Sequence, residues 1–170
     1  RPLGPRKRLT DTPQLRAMFA TLAQTGMRKA EVALAPGVVF GKTHLALANV
    51  RWMIGGVIYD VPTEEQLRGL RSGDYALLRP PPSKADQFSL HWGASTIYLM
   101  YYECAIAHPI CAARELAREE LRRKVPAQRR SLVPLFVRDG SSPWRHGELT
   151  STFSAMMAIV CGSADAAACY

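Results

Sequence analysis

The sequence lacks any run that approaches the ~18 uncharged apolar residues of a membrane-spanning helix. We also expect no signal peptide, because the basic stretch Arg1 to Arg8 leads into no apolar segment. Cysteine is scarce: the 4 cysteines lie in the second part of the chain, and 170 residues is long for a disulfide-stapled module. We therefore expect a soluble protein inside the cell, in the nucleus or the cytoplasm, with free thiols.

Complete metal and cofactor motifs are also missing. Residues 37–43 resemble a phosphate-binding loop but have one residue too few between the glycines, and their flanks do not read as a strand and a helix. Cys104, His108 and Cys111 approach metal-ligand spacing, but a tetrahedral zinc site needs a further ligand that no nearby residue supplies. We expect neither a metal nor a cofactor.

What the chain has in excess is positive charge. Lys and Arg number 22 against 14 Asp and Glu, a formal net charge of +8. Such a surplus favours polyanionic partners, of which nucleic-acid backbones are the commonest. The basic residues cluster at 6–8, 122–124 and 129–130. This pattern favours a DNA partner, although a basic globular protein without one fits the charge as well.

Local patterns predict helices, then a small sheet, then helices. Helices are predicted from Thr12-Pro13 onward, over Met27–Leu34, over Ile110–Lys124 and over Glu148–Val160. Runs rich in β-formers predict strands at 38–40, 44–50, 52–59 with a break at Gly55-Gly56, 75–79, 88–92 and 96–102. The expected fold class is α+β, a mainly helical domain with a small antiparallel β-sheet.

The helix predicted over Ile110–Lys124 has the clearest amphipathic pattern. Its apolar stripe consists of Ile110, Ala113, Leu116, Ala117 and Leu121. The charged residues predicted to surround that stripe are Arg114, Glu115, Arg118, Glu119, Glu120 and Arg122. We expect the stripe to face the core and the charged residues to face solvent.

Residues 25–34, Thr-Gly-Met-Arg-Lys-Ala-Glu-Val-Ala-Leu, carry the most specific signal. Arg28 and Glu31 are three residues apart, so on a helix their side chains are neighbours. A glycine shortly before Arg28 lets the backbone turn sharply toward a ligand. Taken alone, the pair predicts a surface ion pair.

This stretch resembles the first arginine box of tyrosine recombinases of the phage-integrase type, and we call it the arginine box. The resemblance implies that Arg28 is a catalytic residue that contacts the scissile phosphate, and that Glu31 supports the site structurally. An arginine suits this role, because attack on a phosphodiester builds negative charge on two oxygens that a planar guanidinium can clamp together.

The order of later segments resembles the same family. Lys84, between the strands predicted at 75–79 and 88–92, matches the family's hairpin lysine, which implies a second catalytic residue that protonates the leaving 5′ oxygen or bonds the adjacent base. Residues 132–140 resemble the family's leucine-phenylalanine turn, and residues 148–153 resemble the helix ahead of the second box. The resemblance covers residues 6–160.

The family pattern breaks near the end of the sequence. None of the 4 histidines opens the family's His-x-x-Arg box, and Tyr170 follows too soon to be the nucleophile. The expected organisation is therefore a basic linker at 1–9, a partial catalytic domain at 10–160, incomplete at its C-terminus, and an unpatterned tail at 161–170.

The resemblance implies DNA integration or mobile-element recombination on double-stranded DNA, without metal or cofactor, and it allows a homo-oligomer assembled on DNA. Because a catalytic unit that lacks members loses nearly all its activity, we expect these residues to be inactive alone. A non-catalytic DNA-binding remnant and an unrelated basic globular protein remain as alternatives.

Overall fold

The computed structural model describes residues 12–81, 95–140 and 142–161. The α-helices in this part of the chain are α1 (Thr12–Thr25), α2 (Lys29–Val32), α3 (Glu64–Arg68), α4 (Ala112–Arg123) and α5 (His146–Cys161). The strands are β1 (Val50–Ile54), β2 (Val57–Tyr59), β3 (Tyr75–Leu78), β4 (Ile97–Met100), β5 (Val137–Asp139) and β6 (Ser142–Pro143). Short 3-10 helices cover Leu47–Asn49 and Ala127–Leu132. The predicted α+β class with a small antiparallel sheet is confirmed.

The main sheet has the strand order β2-β1-β3-β4, and each neighbouring pair is antiparallel. Its first hairpin turns at Gly55 and Gly56, whose φ angles of 57° and 83° lie in the left-handed region that glycine tolerates. Strands β3 and β4 pair from Tyr75 opposite Met100 to Leu78 opposite Ile97. The connection between them includes Lys84 and the strand predicted at 88–92, both of which lie outside the described residues.

One face of this sheet forms the core together with α1 and α4. Trp52 of β1 and Leu78 of β3 are fully buried there, as is Met18 of α1. Helix α1 packs along α4, and the apolar stripe predicted for α4 faces this core from Ala113 to Ala117. Ile110 does not belong to the stripe, since it precedes the helix and is 58% exposed.

The charged residues of α4 contradict the predicted solvent-facing side. Four of them are buried: Arg114, Glu115, Glu119 and Glu120. Arg114 donates hydrogen bonds to the carbonyl oxygens of Tyr102 (3.1 Å), His108 (2.9 Å) and Pro109 (3.1 Å). The prediction fails because loops and the second 3-10 helix fold over the charged side of α4, which helical periodicity alone does not reveal.

Glu120, on the charged side of α4, forms a buried ion pair with Arg130. Two guanidinium nitrogens of Arg130 donate to the two carboxylate oxygens of Glu120 at 2.6 and 2.7 Å. Arg130 also donates to the carbonyl oxygens of Leu47 and Val50, and the Trp52 indole lies 3.4 Å from the carboxylate. The pair therefore joins α4, β1 and both 3-10 helices.

The strands predicted at 38–40 and 44–50 are wrong. Gly37, with a φ of 75°, forms a turn together with Pro36, and residues 38–40 that follow it form no strand. The Asn49 side chain accepts a hydrogen bond from the amide of Ala46 at 2.7 Å and closes the first 3-10 helix instead. Asparagine commonly competes with regular structure in this way, and the strand begins only at Val50.

None of the helices in the described ranges is long and apolar enough to cross a membrane.

The buried pair generates a stability prediction. Glu120→Gln keeps the side-chain volume but leaves the Arg130 guanidinium buried without its counter-charge. We expect the free energy of unfolding to fall by about 3–5 kcal/mol, measured by urea denaturation.

Glu64→Gln is the matched control, because Glu64 also pairs with cations but lies at the surface. The hydrogen bond from Lys124, and to a smaller extent the one from Arg68, lowers the pKa of the Glu64 carboxyl. The stabilising contribution is therefore present at neutral pH and is lost as the pH falls through that lowered pKa. If Glu120→Gln lowers the free energy of unfolding by no more than Glu64→Gln does, the buried pair with Arg130 is not a major stabilising contact.

Candidate functional site

The arginine box begins where α1 ends in a glycine turn. Gly26 has a φ of 67°, and its amide donates to the carbonyl of Leu22 at 2.9 Å. The Thr25 hydroxyl donates to the Thr21 carbonyl at 2.7 Å and accepts from the amide of Met27 at 3.2 Å. The Thr-Gly pair thus closes α1 and redirects the chain into α2, because glycine adopts this conformation at little cost.

Arg28 is the N-cap residue of α2, with extended backbone angles of −82° and 155°. The Glu31 carboxylate accepts a hydrogen bond from the backbone amide of Arg28 at 2.5 Å. This is the returning half of a capping box. The predicted surface ion pair is absent among the described residues: Glu31 binds the backbone of Arg28, and its contact is compatible with the supporting role that the resemblance implies.

The guanidinium of Arg28 therefore has no hydrogen-bond or ion-pair partner within the part of the chain that the structure describes. The residue is exposed. An arginine keeps its charge at any physiological pH and presents planar donors that match a phosphate. The side chain is thus available to an anionic ligand.

The end of the arginine box is tied to the start of α5. The Leu34 amide donates to the Trp144 carbonyl at 2.8 Å, and the His146 amide donates back to the Leu34 carbonyl at 2.9 Å. The guanidinium of Arg145 donates to the carbonyls of Ala35 (3.2 Å) and Val38 (2.5 Å). These bonds fix the arginine box against α5.

Helix α5 is held in turn by Glu148 and Phe153. The Glu148 carboxylate forms an ion pair with Arg138 and accepts from the Arg145 amide at 3.1 Å, which caps the helix start. The Phe153 ring meets Phe19 of α1 edge-on, with 5.2 Å between ring centroids. Helix α5, to which the end of the arginine box is hydrogen-bonded, is therefore packed against α1.

Sequence reasoning missed three residues that hold the arginine box and the residues after it, namely Lys29, Arg145 and Thr150. Lys29, in a variable position of the arginine box, donates from Nζ to the Thr150 hydroxyl at 2.8 Å. Arg145 belongs to no motif, yet its guanidinium ties residues 35–38 to the start of α5. No sequence signal links Lys29 to Thr150, because 121 positions separate them.

The two C-terminal basic clusters turn out to be structural for the most part. Arg122 pairs with Glu119, and Lys124 pairs with Glu64. Arg123 donates to the carbonyls of Leu135 (2.7 Å) and Pro134 (2.9 Å), and its burial lowers the pKa of its guanidinium.

Arg130 is buried and forms an ion pair with Glu120, so Arg129 is the exposed member of the cluster at 129–130. These residues therefore contribute less free positive charge than their spacing suggests. The cluster at 6–8 lies outside the described residues.

No metal site appears among the described residues, where no group of three or more His, Cys, Asp or Glu side chains could hold an ion. His108 instead stacks on Tyr102, with ring centroids 4.1 Å apart. Cys104 and Cys111 are free thiols. Lys84 and Tyr170 lie outside the described residues, so the place of Lys84 relative to Arg28 stays a prediction.

The capping role of Glu31 is testable. Glu31→Ala removes the acceptor for the Arg28 amide and should lower the free energy of unfolding by about 0.5–1 kcal/mol. Hydrogen exchange at the Arg28 amide should accelerate. Glu31→Gln is the control, because its amide oxygen can accept the same bond and should preserve slow exchange. Equal exchange in all three proteins would argue against the cap.

No protein-family model matches the chain, and no curated protein or solved structure does either. The likeness to tyrosine recombinases therefore rests on the residues of the arginine box and on the order of the segments that follow it.

Proposed function

We propose that this chain binds double-stranded DNA at the arginine box and carries the first part of a tyrosine-recombinase catalytic site, with Arg28 holding the scissile phosphate. The observation that supports this proposal most is that the Arg28 side chain is exposed while its backbone is held in place. Its guanidinium is exposed and lacks a partner among the described residues, while its backbone is held by Glu31. A surface arginine that served only stability would be expected to pair, as Arg68 does with Glu64.

The geometry suits phosphate chemistry. Because the Glu31 contact already orders the Arg28 backbone, a bound phosphate has to order only the arginine side chain, which lowers the entropy cost of binding. Contact with the non-bridging oxygens stabilises the charge that develops during attack on phosphorus. In this proposal Glu31 is a positioning residue, and Lys84 supplies the general acid.

The chemistry of transesterification accounts for the absence of any cofactor from the proposal. A tyrosine nucleophile replaces the leaving 5′ oxygen on phosphorus and keeps the bond energy in a 3′-phosphotyrosyl link. Within the 170 residues no His-x-x-Arg motif is present. We therefore assign DNA binding to this chain and expect strand cleavage only together with the missing motif and a nucleophile.

The alternative of a non-catalytic DNA-binding protein uses the same residues. It is favoured by the lack of His-x-x-Arg in the sequence. Both versions predict phosphate contacts by Arg28, whereas an unrelated basic protein predicts none. An oligomer assembled on DNA fits the first version.

The first test is the salt dependence of binding to a duplex. Arg28→Ala should weaken binding and lower the slope of log affinity against log salt by about 0.9, the contribution of one phosphate contact. The control Arg68→Ala removes an exposed arginine that already pairs with Glu64, and it should leave the slope nearly unchanged. Identical slopes for wild type and both variants would refute a phosphate contact at Arg28.

A second test addresses cleavage. A nicked suicide substrate should form no covalent adduct with the 170-residue chain, as judged by denaturing gel electrophoresis. An adduct that disappears in Tyr170→Phe would overturn this expectation and identify Tyr170 as the nucleophile.

A further inference from the structure

Lys29 is held in a defined position although it lies at the surface. Its Nζ donates to the Thr150 hydroxyl at 2.8 Å, and that hydroxyl donates its own proton to the His146 carbonyl at 2.8 Å. A hydroxyl has one proton and two lone pairs. Because the proton is committed to the helix backbone, a lone pair faces the ammonium, and Thr150 acts as a fixed acceptor for Lys29.

The charge of Lys29 is not neutralised by any carboxylate among the described residues. The acidic residues of α2 and α5 are engaged in other contacts. Glu31 binds the Arg28 amide, and Glu148 binds Arg138 and the Arg145 amide.

Arg28 and Lys29 are therefore two successive cations that form no ion pair among the described residues, and the nearby Glu31 carboxylate is bonded to a neutral amide. Their mutual repulsion in the free protein is relieved when an anion binds. An ammonium also carries three donors, of which Thr150 takes one. The remaining two are available to a ligand.

We infer that Lys29 is a second phosphate-binding residue and that Thr150 on α5 is its positioning residue. This inference rests on the proposed function and extends it to the neighbouring phosphate of the DNA strand that Arg28 contacts. Thr150 confines the ammonium beside α5 without neutralising its charge, which an acidic partner would have done. Helix α5 thereby contributes to DNA binding through an uncharged residue.

A purely structural reading also exists, in which the Lys29–Thr150 hydrogen bond only links α2 to α5. The two readings differ in a measurable way. A structural link changes the unfolding midpoint of the protein and leaves the salt dependence of DNA binding alone. A phosphate contact changes the salt dependence and has little effect on stability, because both side chains are exposed.

The experiment measures duplex binding over a salt series for Lys29→Met, Lys29→Arg, Thr150→Val and the double variant Lys29→Met/Thr150→Val. Lys29→Met should lower the slope of log affinity against log salt by about 0.9, and Lys29→Arg should preserve it, since the charge remains. Thr150→Val keeps the shape but loses the acceptor, so it should weaken binding about five-fold at an unchanged slope. In the Lys29→Met background Thr150→Val should have no further effect.

Lys124→Met serves as the control, because Lys124 is an exposed lysine whose charge Glu64 already neutralises. It should leave the slope nearly unchanged. Circular dichroism and an unfolding midpoint for each variant separate loss of fold from loss of binding.

The outcomes separate this inference from the proposed function. A lower slope for Arg28→Ala with an unchanged slope for Lys29→Met overturns the role of Lys29 and leaves the DNA-binding proposal intact. Unchanged slopes in both variants overturn both. An additive effect of Thr150→Val in the double variant overturns the positioning role of Thr150 alone.

Discussion

The buried pair between Glu120 and Arg130 is the contact on which the described fold depends most. It joins the main helix to the first sheet strand and to both 3-10 helices, and it engages the Trp52 indole. Burying two charges is costly, and the two-pronged contact between the guanidinium and the carboxylate offsets part of that cost, although the Nε of Arg130 is buried without a partner among the described residues. The pair also fixes where Leu47 and Val50 lie relative to α4, because Arg130 donates to both of their carbonyl oxygens.

The basic residues fall into two groups, according to whether carboxylates and carbonyls of the protein already bind their side chains. Those on and after α4 largely serve the structure, since carboxylates or backbone carbonyls hold Arg114, Arg123 and Arg130. Those of the arginine box keep their charge free. Net charge describes the whole molecule, but an anionic ligand responds to the local field of unpaired cations. The unpaired cations of the arginine box therefore support the proposal of DNA binding more strongly than the formal net charge of +8 does.

The arginine box combines a held backbone with a free side chain. Gly26 turns the chain, Glu31 caps the Arg28 amide, and the backbone of Leu34 is bonded to the start of α5. Support under the backbone of an exposed charged group favours binding, because only the side chain then has to be ordered on association. The same support brings Thr150 of α5 beside Lys29, a contact that the resemblance of residues 148–153 did not predict.

The sequence by itself determined the α+β class, α1, the hairpin at Gly55-Gly56 and the position of α4, because glycine conformation and apolar periodicity act over a few residues. It also determined which residues form the arginine box. Only the tertiary structure decided that the charged side of α4 is buried, that Glu31 caps a backbone amide and that Lys29 meets Thr150. The burial of the charged side of α4 and the Lys29–Thr150 contact depend on packing between distant segments, about which local propensity carries no information. The Glu31 contact spans only three residues, but the sequence pattern predicted a side-chain ion pair there instead.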